Sequence, residues 1–178
     1  MEPAEVVIGG CRYPVLRIQV REWAGRKLVA KSVQDLNPAS LMVLDVIDID
    51  AFGLWEDMGF KTAPLLSPKH ARQHMLPQYR RVADFLYGRG VKYIGLDSDG
   101  MIDPLIPVWL DAGLNFLYPF EVQAGMDVLA VRKKYGKHLR IWGGVDKRAL
   151  AYGPAAIDAE LERVRPLIAE GGFIPHTD

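Results

Sequence analysis

From about residue 46 onward, short apolar runs alternate with segments of helical spacing, and this alternation constrains the fold more than any other feature. The runs at 46–52, 91–96, 114–118, 139–143 and 172–175 read as buried strands. Between them, residues 154–170 place Ile157, Leu161, Val164 and Ile168 on one helical face, opened by Gly153-Pro154 and stopped by Gly171-Gly172. A second helical region spans 68–88, with Ser67 as N-cap and Pro77 dividing it. Shorter helices are expected at 103–110 and 127–135, with Asp103 and Asp127 read as caps. Apolar strands separated by helices predict a parallel sheet covered by helices, as an open doubly wound sheet or as a barrel.

Residues 1–45 do not share this rhythm. They hold strand-like pieces at 6–9 and 15–20, a turn at Ala24-Gly25-Arg26 and a breaker at Asn37-Pro38. The chain therefore divides into a poorly readable segment, 1–45, and an α/β part, 46–178.

Bulk properties remove several function classes. The 22 basic and 22 acidic residues leave a formal net charge of +0, which gives no long-range pull toward nucleic acid or anionic membrane. A single cysteine, Cys11, supports neither an internal disulfide nor a multi-cysteine zinc site. The start, Met1-Glu2-Pro3-Ala4-Glu5, lacks a basic region of the secretory kind, and the apolar stretch 41–55 is broken by Asp45, Asp48 and Asp50. A cytoplasmic location is the expectation.

In a parallel α/β sheet the functional groups gather beyond the C-terminal strand ends. Those positions hold Glu56 and Asp57, then Asp97, Ser98, Asp99 and Gly100, then Glu121, then Gly144 and Asp146, then His176 and Asp178. Each strand thus brings a carboxylate to one rim. Two carboxylates spaced as Asp97 and Asp99 raise each other's pKa or share a cation. Asp also caps helices and makes turns, so any single one of these acids has a structural reading as well. Gly143-Gly144 permits close backbone approach or a tight turn. His176 can serve as ligand or acid–base group, whereas His70, His74 and His138 read as surface residues. Trp55, Trp109 and Trp142 are expected in the core or a pocket wall, and Arg72, Arg80 and Arg81 on a solvated helix face. Phosphate-loop, dinucleotide and HExxH motifs are absent from the sequence.

Several segments carry a family resemblance in order and spacing. They are Asp48-Ile49-Asp50-Ala51-Phe52-Gly53-Leu54-Trp55-Glu56-Asp57, Leu66-Ser67-Pro68, Leu76-Pro77-Gln78-Tyr79 and Asp97-Ser98-Asp99-Gly100. Asp111-Ala112-Gly113-Leu114-Asn115, Tyr118-Pro119-Phe120-Glu121, Gly125-Met126-Asp127, Tyr135-Gly136, Trp142-Gly143-Gly144-Val145-Asp146 and Gly171-Gly172-Phe173-Ile174-Pro175 follow. Over about residues 46–178 the chain resembles the uroporphyrinogen decarboxylase superfamily.

The resemblance implies a (β/α)8 barrel, represented here by about five strands of its C-terminal half. A full barrel takes about 250 residues, so the sequence reads as part of a longer protein. An edge left open after Asp178 is expected to favour aggregation. The implied activity is cofactor-free decarboxylation of a tetrapyrrole, with Asp97, Asp99 and Glu121 catalytic and Glu56, Asp57, Ser98, Gly100, Gly144 and Asp146 binding substrate. The alternative is a corrinoid-linked methyltransferase, using zinc and a corrinoid partner. There Asp97 and Asp99 stand where the family's methyltransferases carry a His-x-Cys-Gly ligand pair, and His176 would complete an oxygen- and nitrogen-ligated site. The decarboxylases' N-terminal arginines and aspartate have no counterpart in 1–45, which leaves a non-catalytic fragment as a third reading. A homodimer is expected by analogy, with no nucleic acid or membrane partner.

Overall fold

The computed structural model describes residues 49–177 and, before them, the backbone of four strands at 4–8, 11–15, 17–24 and 27–35. The chain divides into two compact units, Met1–Ile49 and Asp50–Asp178. In the first, β1 (Ala4–Ile8) pairs antiparallel with β2 (Cys11–Val15), and β3 (Arg17–Ala24) with β4 (Lys27–Asp35). The second ladder closes with Ala24 opposite Lys27 and shifts register between Glu22 and Trp23. Part of the first expected strand of the α/β part, 46–48, and the breaker at Asn37-Pro38 lie outside the described residues, as does Asp178.

The second unit carries a five-stranded, all-parallel sheet in sequential order: β5 (Ala51–Trp55), β6 (Tyr93–Asp97), β7 (Phe116–Tyr118), β8 (Arg140–Val145) and β9 (Phe173–Thr177). Helices connect each pair. Between β5 and β6 run α1 (Pro68–His74) and α2 (Leu76–Tyr87), divided at Met75 as Pro77 requires, since proline fits only a helix's first turn. The Ser67 hydroxyl caps α1 by accepting from the His70 amide at 3.3 Å.

Between β6 and β7 the chain departs from expectation. Instead of one helix over 103–110, Pro107 lies in the first turn of α3 (Ile106–Asp111), which follows a 3-10 turn at Asp103–Leu105. Asp103 does not cap it; its carboxylate pairs with Lys134 at 2.8 Å. Beyond β7, α4 (Val128–Tyr135) is capped by Asp127, which accepts from the Leu129 amide at 3.0 Å. After β8 come α5 (Arg148–Tyr152) and α6 (Pro154–Glu170), the latter continuing through Pro166.

The sheet's two faces differ. Ile94, Leu96, Leu117 and Ile141 are buried together with Leu86, Trp109, Val128, Val131, Val164 and Leu167 of the helix layer. The expected apolar face of α6 is rotated: Val164 and Leu167 are buried, whereas Leu161 and Ile168 are 44% and 48% exposed. A helix laid across one side of a sheet buries the stripe aimed at the strands and leaves its flanks wet. The sheet's other face carries Trp55, Tyr93, Trp142 and Ile174, each open to solvent. The arginines of the second helical region are not simply solvated either. Arg72 pairs with the Asp111 carboxylate and Arg80 donates to the Asp111 carbonyl, tying α1 and α2 to the end of α3. No helix among the described residues is long and apolar enough to cross a membrane.

Arg132 holds the late elements together. Its guanidinium, 6% exposed, donates to the carbonyls of Gly136, Leu139, Gly171 and Gly172 at 2.7, 3.1, 3.2 and 2.7 Å. One side chain thereby fastens the end of α4 to the starts of β8 and β9. Its removal leaves buried carbonyls without donors, a loss of about 3 kcal/mol. Arg132→Met is therefore expected to lower the unfolding free energy by that amount in urea titration. A change under about 0.5 kcal/mol, the range of an ordinary surface substitution, would contradict the clasp.

Candidate functional site

Parallel register sets the site. Trp55 lies opposite Asp97, and Asp97 opposite Tyr118. Phe116 lies opposite Arg140, so Tyr118 comes level with Trp142, which pairs in turn with Ile174. Side chains alternate along a strand, so these five stand in one row on the open face at the strand ends.

The aromatic members stack. Phe116 and Tyr118 rings lie 5.6 Å apart at 13°, and Tyr118 and Trp142 lie 4.9 Å apart at 29°. His176 meets the Trp142 ring edge-on at 5.8 Å. The rings have room because β5 and β6 carry glycine beneath them. A Cβ on Gly95 would sit 2.0 Å from the Phe116 ring, and one on Gly53 would sit 2.9 Å from the Tyr118 hydroxyl. The stack ends on Trp142, which is 36% exposed.

Asp97 stands beside this stack. Desolvation raises its pKa, and repulsion from Asp99 and then Asp57 adds to the shift. Burial, and then the Asp97 charge, push the Tyr118 phenol up as well. Glu56 continues the ladder by donating its amide to the Asp97 carbonyl at 2.9 Å. Its carboxyl is half-buried, and burial raises its pKa against the opposing effect of the nearby Tyr79 hydroxyl. That hydroxyl is buried beside Glu56 without a hydrogen bond of standard geometry, and its own pKa is driven up by burial.

The remaining expected site residues serve the rim's framework. The buried Ser98 hydroxyl accepts from the Met58 amide at 2.9 Å, and the Met101 amide donates to the Phe60 carbonyl at 2.8 Å. Together they lash the loop after β5 to the end of β6. Glu121 accepts from the Gly100 amide at 3.0 Å, so it positions the Asp99-Gly100 loop. Phe120, at φ 57° and fully buried, anchors the turn that delivers Glu121. Asp146 accepts from the Arg148 backbone and guanidinium, which hold its carboxyl below the usual range. Gly143 and Gly144 adopt φ +120° and +70°, and the Gly144 amide donates to the Pro119 carbonyl at 2.9 Å. A Cβ on Gly143 would lie 1.7 Å from that oxygen, so this pair answers to a close backbone crossing.

Asp99, Gly100 and Glu121 line a cavity of about 230 Å3 together with Phe60, Lys61 and Gln123. Asp99 and Asp57 both lie close enough to Asp97 to repel its charge, while Asp146 follows β8 and His176 stands on β9. Among the described residues no three His, Cys, Asp or Glu side chains converge as a metal-holding group. Asp97 and Asp99 belong to the β6 end, whereas His176 stands on β9, two strands beyond Tyr118. Tyr118 is a site residue beyond the expected carboxylates; its sequence signal is parity, two residues beyond Phe116 on a strand in register with Asp97.

The sign of the Asp97 shift gives a test. Its folded-state pKa lies above the unfolded value, so ionisation costs the folded state stability at neutral pH. That cost fades as the pH falls through the folded pKa and is gone below the unfolded value of about 3.9. Asp97→Asn is expected to be more stable than the wild type at pH 7, with the gap closing by about pH 3. Urea unfolding at both pH values measures it; a wild type more stable at pH 7 would contradict the electrostatics.

Comparison of the chain with protein-family models, with curated proteins and with solved structures returns no match.

Proposed function

We propose that residues 50–178 belong to a (β/α)8-barrel enzyme of the uroporphyrinogen decarboxylase superfamily, and that the strand-end rim decarboxylates a planar pyrrole-type substrate without a cofactor. The sequential strand order supports the barrel, since a doubly wound sheet reverses its order at a switch point. The observation that carries the activity is Asp97, a carboxyl biased toward its protonated form beside the Tyr118–Trp142 stack.

In this reading the ring lies against the aromatic stack, and its N–H groups donate to the rim carboxylates. The Asp97 carboxyl gives its proton to a ring carbon, and the ring becomes an electron-poor cation. The bond to the carboxylate carbon of an adjacent acetate arm then breaks. Its electron pair flows into the ring, and carbon dioxide leaves. Protonation of the resulting exocyclic methylene and return of the ring proton to Asp97 restore both partners, for a net uptake of one proton per carbon dioxide released. Burial, and then repulsion from Asp99 and Asp57, raise the proton affinity of Asp97 and so favour its acid form. Glu121 keeps the Asp99-Gly100 loop in place through its bond to the Gly100 amide.

General acid catalysis by a positioned group is worth about 10²- to 10⁴-fold. Carbon dioxide release from a carboxylated porphyrinogen should fall by at least about 10²-fold in Asp97→Asn. In the wild type it should decline as the pH rises through the Asp97 pKa, because the acid form is the active one. Full turnover in Asp97→Asn, or no turnover by the folded wild type, would overturn the reading.

A further inference from the structure

Away from the strand-end rim, α1 carries a pair of imidazoles. His70 and His74 stand four residues apart on it, so both fall on one face of the helix, one turn from each other. Both are exposed, and their rings lie 6.3 Å apart at 19°. Ser67, the N-cap of α1, orients the first ring. Its hydroxyl lies 3.0 Å from His70 Nδ1 and accepts from the His70 amide at 3.3 Å. With the ring proton on Nδ1, His70 donates to that hydroxyl and keeps the Nε2 lone pair for a ligand. A hydrogen bond at one imidazole nitrogen that frees the other is the arrangement found behind metal-bound histidines. Arg72 does not face the pair: it stands two residues from each, on the other side of the helix, and is drawn to Asp111.

From this we infer that His70 and His74 form a chelating site on α1 for a late first-row divalent metal ion such as zinc, bound through Nε2 of each ring. Imidazole nitrogen suits zinc, copper and nickel, whereas magnesium and calcium prefer oxygen. Two nitrogens at about 2.1 Å from one tetrahedral ion stand about 3.4 Å apart. Exposed rings one turn apart reach that separation by turning about their side-chain torsions, a motion completed within nanoseconds. The same spacing of two histidines serves the HExxH metal helices, but Ala71 stands where that motif carries its glutamate base. The site therefore holds an ion without a hydrolytic base. Among the described residues no third His, Cys, Asp or Glu completes the group, so water takes the remaining positions. The bridge spans the turn closed by the bond from the Met75 amide to the Ala71 carbonyl. Because α1 has only seven residues, too few to hold as a helix alone, the bound ion slows its fraying.

The test adds Zn2+ to the 15N-labelled full chain and follows the imidazole 1H–15N correlations. The expected result is that Nε2 of His70 and of His74 shift together and saturate at one ion per chain. His70 Nδ1 should stay protonated, and His138 and His176 should not move with the first equivalent. Exchange of the Met75 amide should slow in the same titration. His74→Gln, at an exposed position where folding is not at stake, should weaken zinc at His70 by at least about tenfold, because the chelate is lost. Mg2+ at the same concentration should leave both rings unchanged. Zinc that moves His138 or His176 before this pair would overturn the site. So would an affinity unchanged in His74→Gln, or an equal response to Mg2+.

Discussion

Two glycines at one level of neighbouring strands, Gly53 on β5 and Gly95 on β6, set the geometry of the open face. Strands in a sheet stand about 4.8 Å apart, and any side chain on Gly95 would occupy the space of the Phe116 ring. With that space empty, Phe116 and Tyr118 lean across the sheet instead of standing off it, and Trp142 stacks on Tyr118. The same register fixes Asp97 between Trp55 and Tyr118. Ring stack and carboxyl are therefore two consequences of one pairing pattern.

Around that row the protein spends its polar groups on holding loops. Ser98, Glu121 and the Gly100 amide tie three strand-end loops to one another. Asp146, Glu160, Arg148 and Arg163 form a second cluster at the end of β8, and each of its charges has a partner. Asp97 differs from Asp146 and Glu160: burial, and then repulsion from Asp99 and Asp57, raise its proton affinity, whereas Arg148 and Arg163 lower theirs. Farther back, the buried Arg132 closes β8 and β9 against α4, so the strands carrying Trp142 and His176 keep their register.

Much of this was legible in the sequence, in places where one local rule decides the outcome. Gly153-Pro154 and Gly171-Gly172 bound α6 as expected, Asp127 caps α4, and Pro77 divides the second helical region. The rule failed where tertiary contacts compete with it. Asp103 is a plausible cap by type, yet Lys134 offers it an ion pair and Pro107 moves the helix start past it. Leu161 and Ile168 fit an apolar stripe, but the strands lie under Val164 and Leu167. Arg72 and Arg80 are exposed as expected, but their shared partner Asp111 was not legible because it lies more than 30 residues away in sequence. In the first 45 residues the ladder strand Lys27–Asp35 lacks clean alternation, and the expected turn at Gly25-Arg26 lies outside the described residues. At the site, the carboxylates stood out as strand-end residues, but the stack needs the register of four strands, which no single segment encodes.

The nuclear Overhauser contacts of the Tyr118 and Phe116 rings test this register most directly. Cross-peaks are expected from the Tyr118 ring to the Gly53 Hα protons and from the Phe116 ring to the Gly95 Hα protons, with Tyr118 also reaching the Trp142 indole. Rings that show contacts only to their sequence neighbours would contradict it. In that case the parallel register, and the row of Trp55, Asp97, Tyr118 and Trp142 that depends on it, would not exist.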